Sequence, residues 1–422
     1  MRRVREMVVF GVAVTLAVTT PAAGQQAVAS LTEAVAFAVE HNPQVAASRA
    51  AVKAAEAQVQ VVRAGLAPTV NLSVGGSVGN STGSVTTSSQ ASASVTYLIY
   101  DGGVRQAQIR QAEAQAESTR QALATVTVDV ALQTVQTYMG VIVADQVILL
   151  REQAVTQART QLAAAEANFR AGRVPRADVI RAESVLAAAE FDLVNARGQA
   201  ETSRTALRTA MGLEGGGPLN VVVPAEPPPQ EVSEADALQR ALQRPEVLRS
   251  EADVRAAEAG LAIAMMQGGI TATLDGRYVL VGTGGSGTSG PGTWSVGIGV
   301  SIPISDGGRH AAQVEQARAN LDAGRARLES VRFQVRQDAL LARVQAAAAI
   351  AKVEAARRSA LAAREAFNVA QGRYAAGVGT IVEVATAQTD LAAAEVALVQ
   401  AAADRWTTTA ALRRALALPV LP

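Results

Sequence analysis

Four stretches of the chain alternate apolar and polar residues with period two. From Trp294 to Ile304 the even positions are Trp, Val, Ile, Val, Ile and Ile, and the odd ones are Ser295, Gly297, Gly299, Ser301 and Pro303. Pro68–Val78 sets Val70, Leu72, Val74 and Val78 against Asn71, Ser73, Gly75 and Ser77. Ala91–Ile99 sets Ala93, Val95, Tyr97 and Ile99 against Ser92, Ser94 and Thr96, and Ile270–Leu280 sets Ile270, Leu274, Tyr278 and Leu280 against Thr271, Thr273, Asp275 and Arg277. Such alternation predicts strands, joined in pairs by Gly/Ser/Thr-rich loops at Gly79–Ser89 and Gly282–Gly292. A soluble sandwich would bury bulky aromatics on one face and show Lys and Glu on the other. Here the second face is small and uncharged apart from Asp275 and Arg277. That pattern fits transmembrane β-strands, apolar toward lipid and polar toward a lumen, with Tyr97, Tyr100, Tyr278 and Trp294 as interface anchors. Four strands cannot close a barrel, since the smallest have about eight. Closure therefore needs several chains, and three would supply twelve strands around an open pore.

A different period governs the rest. From Asp101 to about Ala171 no proline interrupts, and glycine occurs only at Gly102, Gly103 and Gly140. A helix of ~70 residues at 1.5 Å per residue spans about 105 Å. Asp306 to Gln371 reads the same way. Val128, Leu132, Val135, Met139, Ile142 and Leu149 sit at heptad spacing, as in a coiled-coil seam. Ala-rich surroundings let such helices approach closely. Shorter helices begin near Pro43 and Pro245, where proline is tolerated. A second pair of long helices, about Ala177–Met211 and Ile381–Leu416, returns antiparallel after the short turns Ala171–Pro175 and Ala376–Thr380.

The chain is written twice. Asp101-Gly102-Gly103 recurs as Asp306-Gly307-Gly308, and at the same offset Phe169–Gly172 recurs as Tyr374–Gly377 and Asp178-Val179 as Glu383-Val384. Residues 25–214 form a first repeat of helix, β-hairpin (68–100) and long helical hairpin (101–212). Residues 233–422 form a second, with its β-hairpin at 270–304 and helical hairpin at 306–418. The Gly/Pro-rich segment 215–232 reads as a linker.

Composition narrows what such a scaffold does. The chain has no cysteine, so disulfides, thiolate metal sites and a lipid-anchored N-terminal Cys are excluded. A formal net charge of +1 with 3% aromatics argues against a nucleic-acid partner. Arg2, Arg3 and Arg5 precede an apolar run, Met7–Val18, and the small residues Ala22-Ala23-Gly24, so residues 1–24 are expected to be a cleaved signal peptide. No later stretch reaches ~18 consecutive apolar residues, and no transmembrane helix is expected. His41 and His310 lie far apart with no catalytic or ligand context, so no catalytic, cofactor or metal site is expected. Asp101-Gly102-Gly103 and Asp306-Gly307-Gly308 are expected to form capped strand-to-helix turns.

With these residues in view the chain resembles TolC-like outer-membrane efflux proteins, the exit ducts of tripartite pumps and type I secretion systems. The resemblance rests on Ser30–Ala34 with His41-Asn42-Pro43, on Tyr100–Gly103 and Ser305–Gly308, and on the doubled tips Phe169–Val179 and Tyr374–Val384. It implies a mainly α fold with a β-barrel part. A homotrimer would form a 12-stranded barrel in outer-membrane lipid and an α-barrel crossing the periplasm. It implies a periplasmic adaptor docking at Gly172, Arg173, Val174, Gly377 and Val378, and an inner-membrane pump of RND or ABC type. Asp178 and Tyr374 match a pair linking hairpins in the closed state, and Glu383 matches an acidic ring at the entrance. The second acidic ring position is Thr386 here, and an arginine that assists closure is replaced by Gly379. The alternative is a trimeric structural or adhesive stalk anchored in the outer membrane, without narrow tips.

Overall fold

A computed structural model describes residues 30–81, 84–214, 219–230, 232–283 and 292–421. The expected signal peptide lies outside the described residues. The elements run α1 (Leu31–His41), α2 (Pro43–Ala64), β1 (Thr69–Ser81), β2 (Ser84–Tyr100), α3 (Val104–Arg170), α4 (Arg176–Met211), α5 (Glu234–Ala241), α6 (Pro245–Met266), β3 (Thr271–Thr283), β4 (Thr293–Ser301), α7 (Arg309–Ala375) and α8 (Ile381–Ala415). Each repeat thus opens with two helices rather than one. Asn42 and Pro43 make the break in the first: the Asn42 carboxamide accepts from Gln44 N at 2.8 Å and donates to Ala210 O at 2.8 Å. In the second repeat Pro245 again starts the longer helix, after Arg244.

The four strands form one antiparallel sheet in the order β1-β2-β3-β4. Its middle pairing, β2 with β3, joins the repeats. Register carries rows of like residues across the sheet: Leu72, Ala93, Tyr278 and Trp294 on one face, and Asn71, Ser94, Arg277 and Ser295 on the other. The apolar face is bare, with Val70, Leu72, Val74 and Val78 72–77% exposed. The outer edges of β1 and β4 have no strand beside them among the described residues.

Strand limits differ from expectation in two places. The loop expected at Gly79–Ser89 is mostly ladder, because β1 runs to Ser81 and β2 begins at Ser84. Hydroxyl pairs such as Ser77–Ser88, 2.8 Å apart, let a serine-rich segment stay paired. Conversely β4 stops at Ser301, short of Ile304, since Pro303 has no N–H to give a ladder.

α3 and α7 are 67 residues each, about 100 Å at 1.5 Å per residue. α4 and α8 fold back along them. The heptad seam is buried at Val135, Met139 and Ile142 but exposed at Leu149. An 18-residue window of α3 is apolar enough to cross a membrane by length and composition. Polar residues interrupt it, so a search for unbroken apolar runs misses it. α3 also supplies Val130, Val135, Tyr138, Met139 and Ile142 to the main core, with α1, α4 and α8 contributing Leu31, Ala34, Leu207, Met211 and Ala410. Beyond this cluster much of the buried apolar set is alanine, which brings backbones close at little side-chain entropy cost.

The segment between the repeats lies against this core. The buried Tyr138 hydroxyl donates to Val222 O at 2.8 Å and accepts from Val222 N at 3.0 Å. Arg405 donates to Glu226 Oε2 at 2.6 Å and Pro227 O at 2.9 Å. A charge network ties the repeats nearby: Arg244, 3% exposed, reaches Glu246 at 2.7 Å and Asp338 at 3.0 Å. Arg414 bridges Asp129 at 2.7 Å and Glu246 at 3.2 Å.

Tyr138→Phe strips both partners from Val222 at once. We expect a loss of about 1–3 kcal/mol and faster limited proteolysis within 219–230. Unchanged cleavage there would show that the hydroxyl does not hold the strap.

Candidate functional site at the hairpin tips

The two helical hairpins turn alike. α3 ends with Gly172 at φ +70° and α7 with Gly377 at φ +75°, left-handed positions that suit glycine. Gly172 N donates to Phe169 O and Arg173 N to Asn168 O, both at 2.9 Å. Gly377 N donates to Tyr374 O and Val378 N to Arg373 O, both at 3.0 Å. This is a Schellman termination twice over. It leaves Gly172, Arg173, Gly377 and Val378 exposed and Val174 half-buried.

The helices that leave the turns start differently. Thr380 caps α8, its hydroxyl accepting from Glu383 N at 3.3 Å. α4 starts after Pro175 with no side-chain cap.

Tyr374 stands at the end of α7 against a cluster of Phe367, Ala370, Val384 and Leu391. Its hydroxyl is buried and has no hydrogen-bond partner. Burial pushes its pKa up, and the charge of Asp178, from the other hairpin of the same chain, adds to the rise. The fold thus brings Tyr374 and Asp178 within electrostatic range without a hydrogen bond between them.

Glu383 is exposed, with a carboxylate oxygen 3.9 Å from an Arg373 guanidinium nitrogen across the turn. Sequence reasoning passed over Arg373. Its signal was local: a basic residue in the last turn of one helix facing an acidic residue in the first turn of the next. Gly379 has a steric reason: a Cβ there would lie 3.0 Å from Arg373 Cβ and from Tyr374 N. A larger residue would have to displace backbone at the turn. Thr386 is exposed.

The remaining expected site residues lie at the other end of α3 and α7. Asp101 Oδ1 accepts from Gly103 N at 3.0 Å, and Oδ2 from Arg105 N at 2.8 Å and Nε at 2.9 Å. Asp306 repeats this with Gly308 N at 3.0 Å and His310 N at 2.7 Å. Gly102, Gly103, Gly307 and Gly308 all have positive φ and swing the chain from strand into helix. Desolvation raises the pKa of Asp101, but the hydrogen bonds from Arg105 and Gly103 outweigh it and the net shift is downward. The exposed His41 ring stacks on Phe37 at 4.0 Å, and His310 Nδ1 is buried without a partner.

The chain is similar to known proteins. The family model "Outer membrane efflux protein" matches residues 35–213 and 237–418. The outer membrane efflux protein BepC of Brucella suis is 30% identical over 395 residues, covering 90% of this chain and 84% of that protein. The protein CyaE of Bordetella pertussis is 28% identical over 404 residues, covering 91% and 83%. A crystal structure of a membrane protein from Pseudomonas aeruginosa has the same fold, with a TM-score of 0.80 at 22% identity over 92% of this chain and 93% of that one.

The lowered folded-state pKa of Asp101 has a definite sign. Its contribution is fully present above the ordinary carboxylate value and is lost as pH falls through the folded value. Asp101→Ala should cost about 1 kcal/mol at neutral pH. It should also flatten part of the acid limb in thermal melts between pH 2 and 6. An acid limb identical to the parent's would remove Asp101 from that role.

Proposed function

Because the chain belongs to the outer membrane efflux protein family, we propose that three copies close into one passive duct. β4 of each copy pairs with β1 of the next to complete twelve strands in outer-membrane lipid. The long helices hang as staves in the periplasm. The observation that carries this is the open four-stranded sheet, apolar and bare on one face, small and polar on the other. Lipid suits the first face, and a wide water-filled lumen suits the second. A stalk would need no such polar inner face.

A periplasmic adaptor docks on the exposed tips around Gly172, Arg173, Val174, Gly377 and Val378, and an inner-membrane pump of RND or ABC type supplies the energy. No step of bond chemistry is assigned to the chain. The similarity to BepC, an outer membrane efflux protein, and to CyaE runs along almost the whole length and supports this reading. The tip hairpins form the gate. Tyr374 and Asp178 lie on two hairpins within electrostatic range, and the unpartnered hydroxyl bonds the carboxylate as the closed entrance tightens. Glu383, repeated threefold, sets a ring of carboxylates that Arg373 partly offsets. Opening replaces hairpin–hairpin contacts with adaptor contacts, a shift between two arrangements of the same helices.

Purified trimer in a planar bilayer should give long-lived pores; their absence would overturn the duct. Tyr374→Phe combined with Asp178→Ala should raise single-channel conductance, and an unchanged value would remove the latch. Glu383→Gln should move the reversal potential in a salt gradient toward weaker cation preference. An unaltered potential would refute the ring.

A further inference from the structure

The four strands are almost without charge. Only β3 carries any, at Asp275 and Arg277. The connecting segments 82–83 and 284–292 add none. Arg277 sits at the middle of β3, on the polar face, between Ser94 of β2 and Ser295 of β4 in the register. It is exposed and makes no ion pair or hydrogen bond among the described residues. Asp275 is also exposed, two positions nearer the helices, and its Oδ1 accepts from the Thr96 hydroxyl at 3.1 Å.

Sheet stability does not call for this arginine. Its in-register neighbours are hydroxyls, and the carboxylate on its own strand is held by another group. A neighbouring copy cannot neutralise it through the sheet either, since β1 and β4, the strands that would meet at the junction, have no charged residue. What surrounds it is rich in donors. A recess of about 380 Å3 beside Arg277 is lined by Ser73, Ser77, Ser88, Gln90 and Ser92. Ser73 pairs with Ser92 and Ser77 with Ser88, both at 2.8 Å. Each pair uses one hydroxyl hydrogen and leaves the other free to donate. An unpaired guanidinium beside free hydroxyl donors is the chemistry that receives an oxyanion.

We propose that Arg277 from each of three copies forms a ring of guanidinium charge at mid-height of the barrel lumen, and that this ring holds multivalent oxyanions on their way out. This rests on the threefold duct proposed above and deepens it by naming a solute class. Twelve strands about 4.8 Å apart and tilted by about 40° close at a backbone diameter of roughly 24 Å. With long side chains reaching inward from three points, every part of the passage at that level lies within about 10 Å of a guanidinium, the screening length in ~0.1 M salt. One cation per copy is therefore enough to set the local potential. Asp275 does not cancel it. Its side chain is short and tied to Thr96 at the wall, whereas the longer arginine is unheld and reaches nearer the axis. From Arg277 outward no strand or loop residue is charged, so nothing beyond the ring competes for the anion.

Purified trimer in a planar bilayer, in about 0.1 M KCl, would be titrated with sodium tripolyphosphate on either side. The current should fall. In about 1 M KCl, where screening acts within ~3 Å, the blocking concentration should rise about tenfold. Arg277→Gln should raise it by a similar factor at the lower salt, and Arg277→Lys should keep most of the block. Arg325→Gln, on α7, should leave the block unchanged. Raffinose, which is uncharged, should not distinguish Arg277→Gln from the parent. The proposal is overturned by a parent channel that tripolyphosphate does not block, by equal block of Arg277→Gln, or by block that survives the higher salt. If Arg277→Gln does not assemble, the salt dependence of the parent decides the matter. Pores that conduct but ignore tripolyphosphate refute the arginine ring alone. Material that forms no pores refutes the duct.

Discussion

A sheet with two free edges and a bare apolar face cannot stand in water by itself. Everything else in the chain follows from the way that deficit is met. Four strands carry a continuous apolar surface from Val70 and Leu72 across to Trp294 and Val296, and among the described residues no helix or second sheet packs over it. Unpaired strand edges invite other strands, and closure into a barrel is the arrangement that leaves none. Lipid then covers the apolar face. The lumen face can remain small because it packs against water instead of a core, which is why Ser, Thr and Gly populate it.

The helices answer to the same symmetry axis. Each repeat delivers its chain through an Asp-Gly-Gly turn into a 67-residue helix. Six helical hairpins in a threefold assembly make a tube whose diameter is set by alanine-thin contacts. The segment between repeats closes on the outside of α3 and α8 through Tyr138 and Arg405. Arg414, which bridges Asp129 of the first repeat and Glu246 of the second, ties the two repeats together. A conduit of this kind needs shape and a gate rather than reactive groups.

The repeats diverge in the side chains of their tips. Backbone hydrogen bonds at the two tips are nearly superposable, so the turn itself is conserved between halves by glycine and the Schellman geometry. Side chains on that frame are free to differ, and they do: one tip is arginine-rich, while the other is apolar and holds a Glu383–Arg373 contact. An internal duplication thus keeps the backbone of the tips regular while their side chains differ.

Periodicity alone determined the strands, the long helices, the duplication and the need for several chains, because these depend on spacings of two and about 3.6 residues that any pairing must respect. The Asp-Gly-Gly turns were equally plain, since positive φ and a short acceptor leave few alternatives. Strand ends were less visible: serine-rich ladder and serine-rich loop have the same composition, and only the cross-strand register shows that β1 runs to Ser81 and β2 begins at Ser84. The segment rich in proline looked like a tether, and tertiary contact from Tyr138, 84 residues away, made it a strap. Which groups meet at the gate was likewise beyond local pattern. Tyr374 and Asp178 are brought together, Arg373 is set beside Glu383, and the tyrosine hydroxyl is left unpaired only when two hairpins distant in sequence pack side by side.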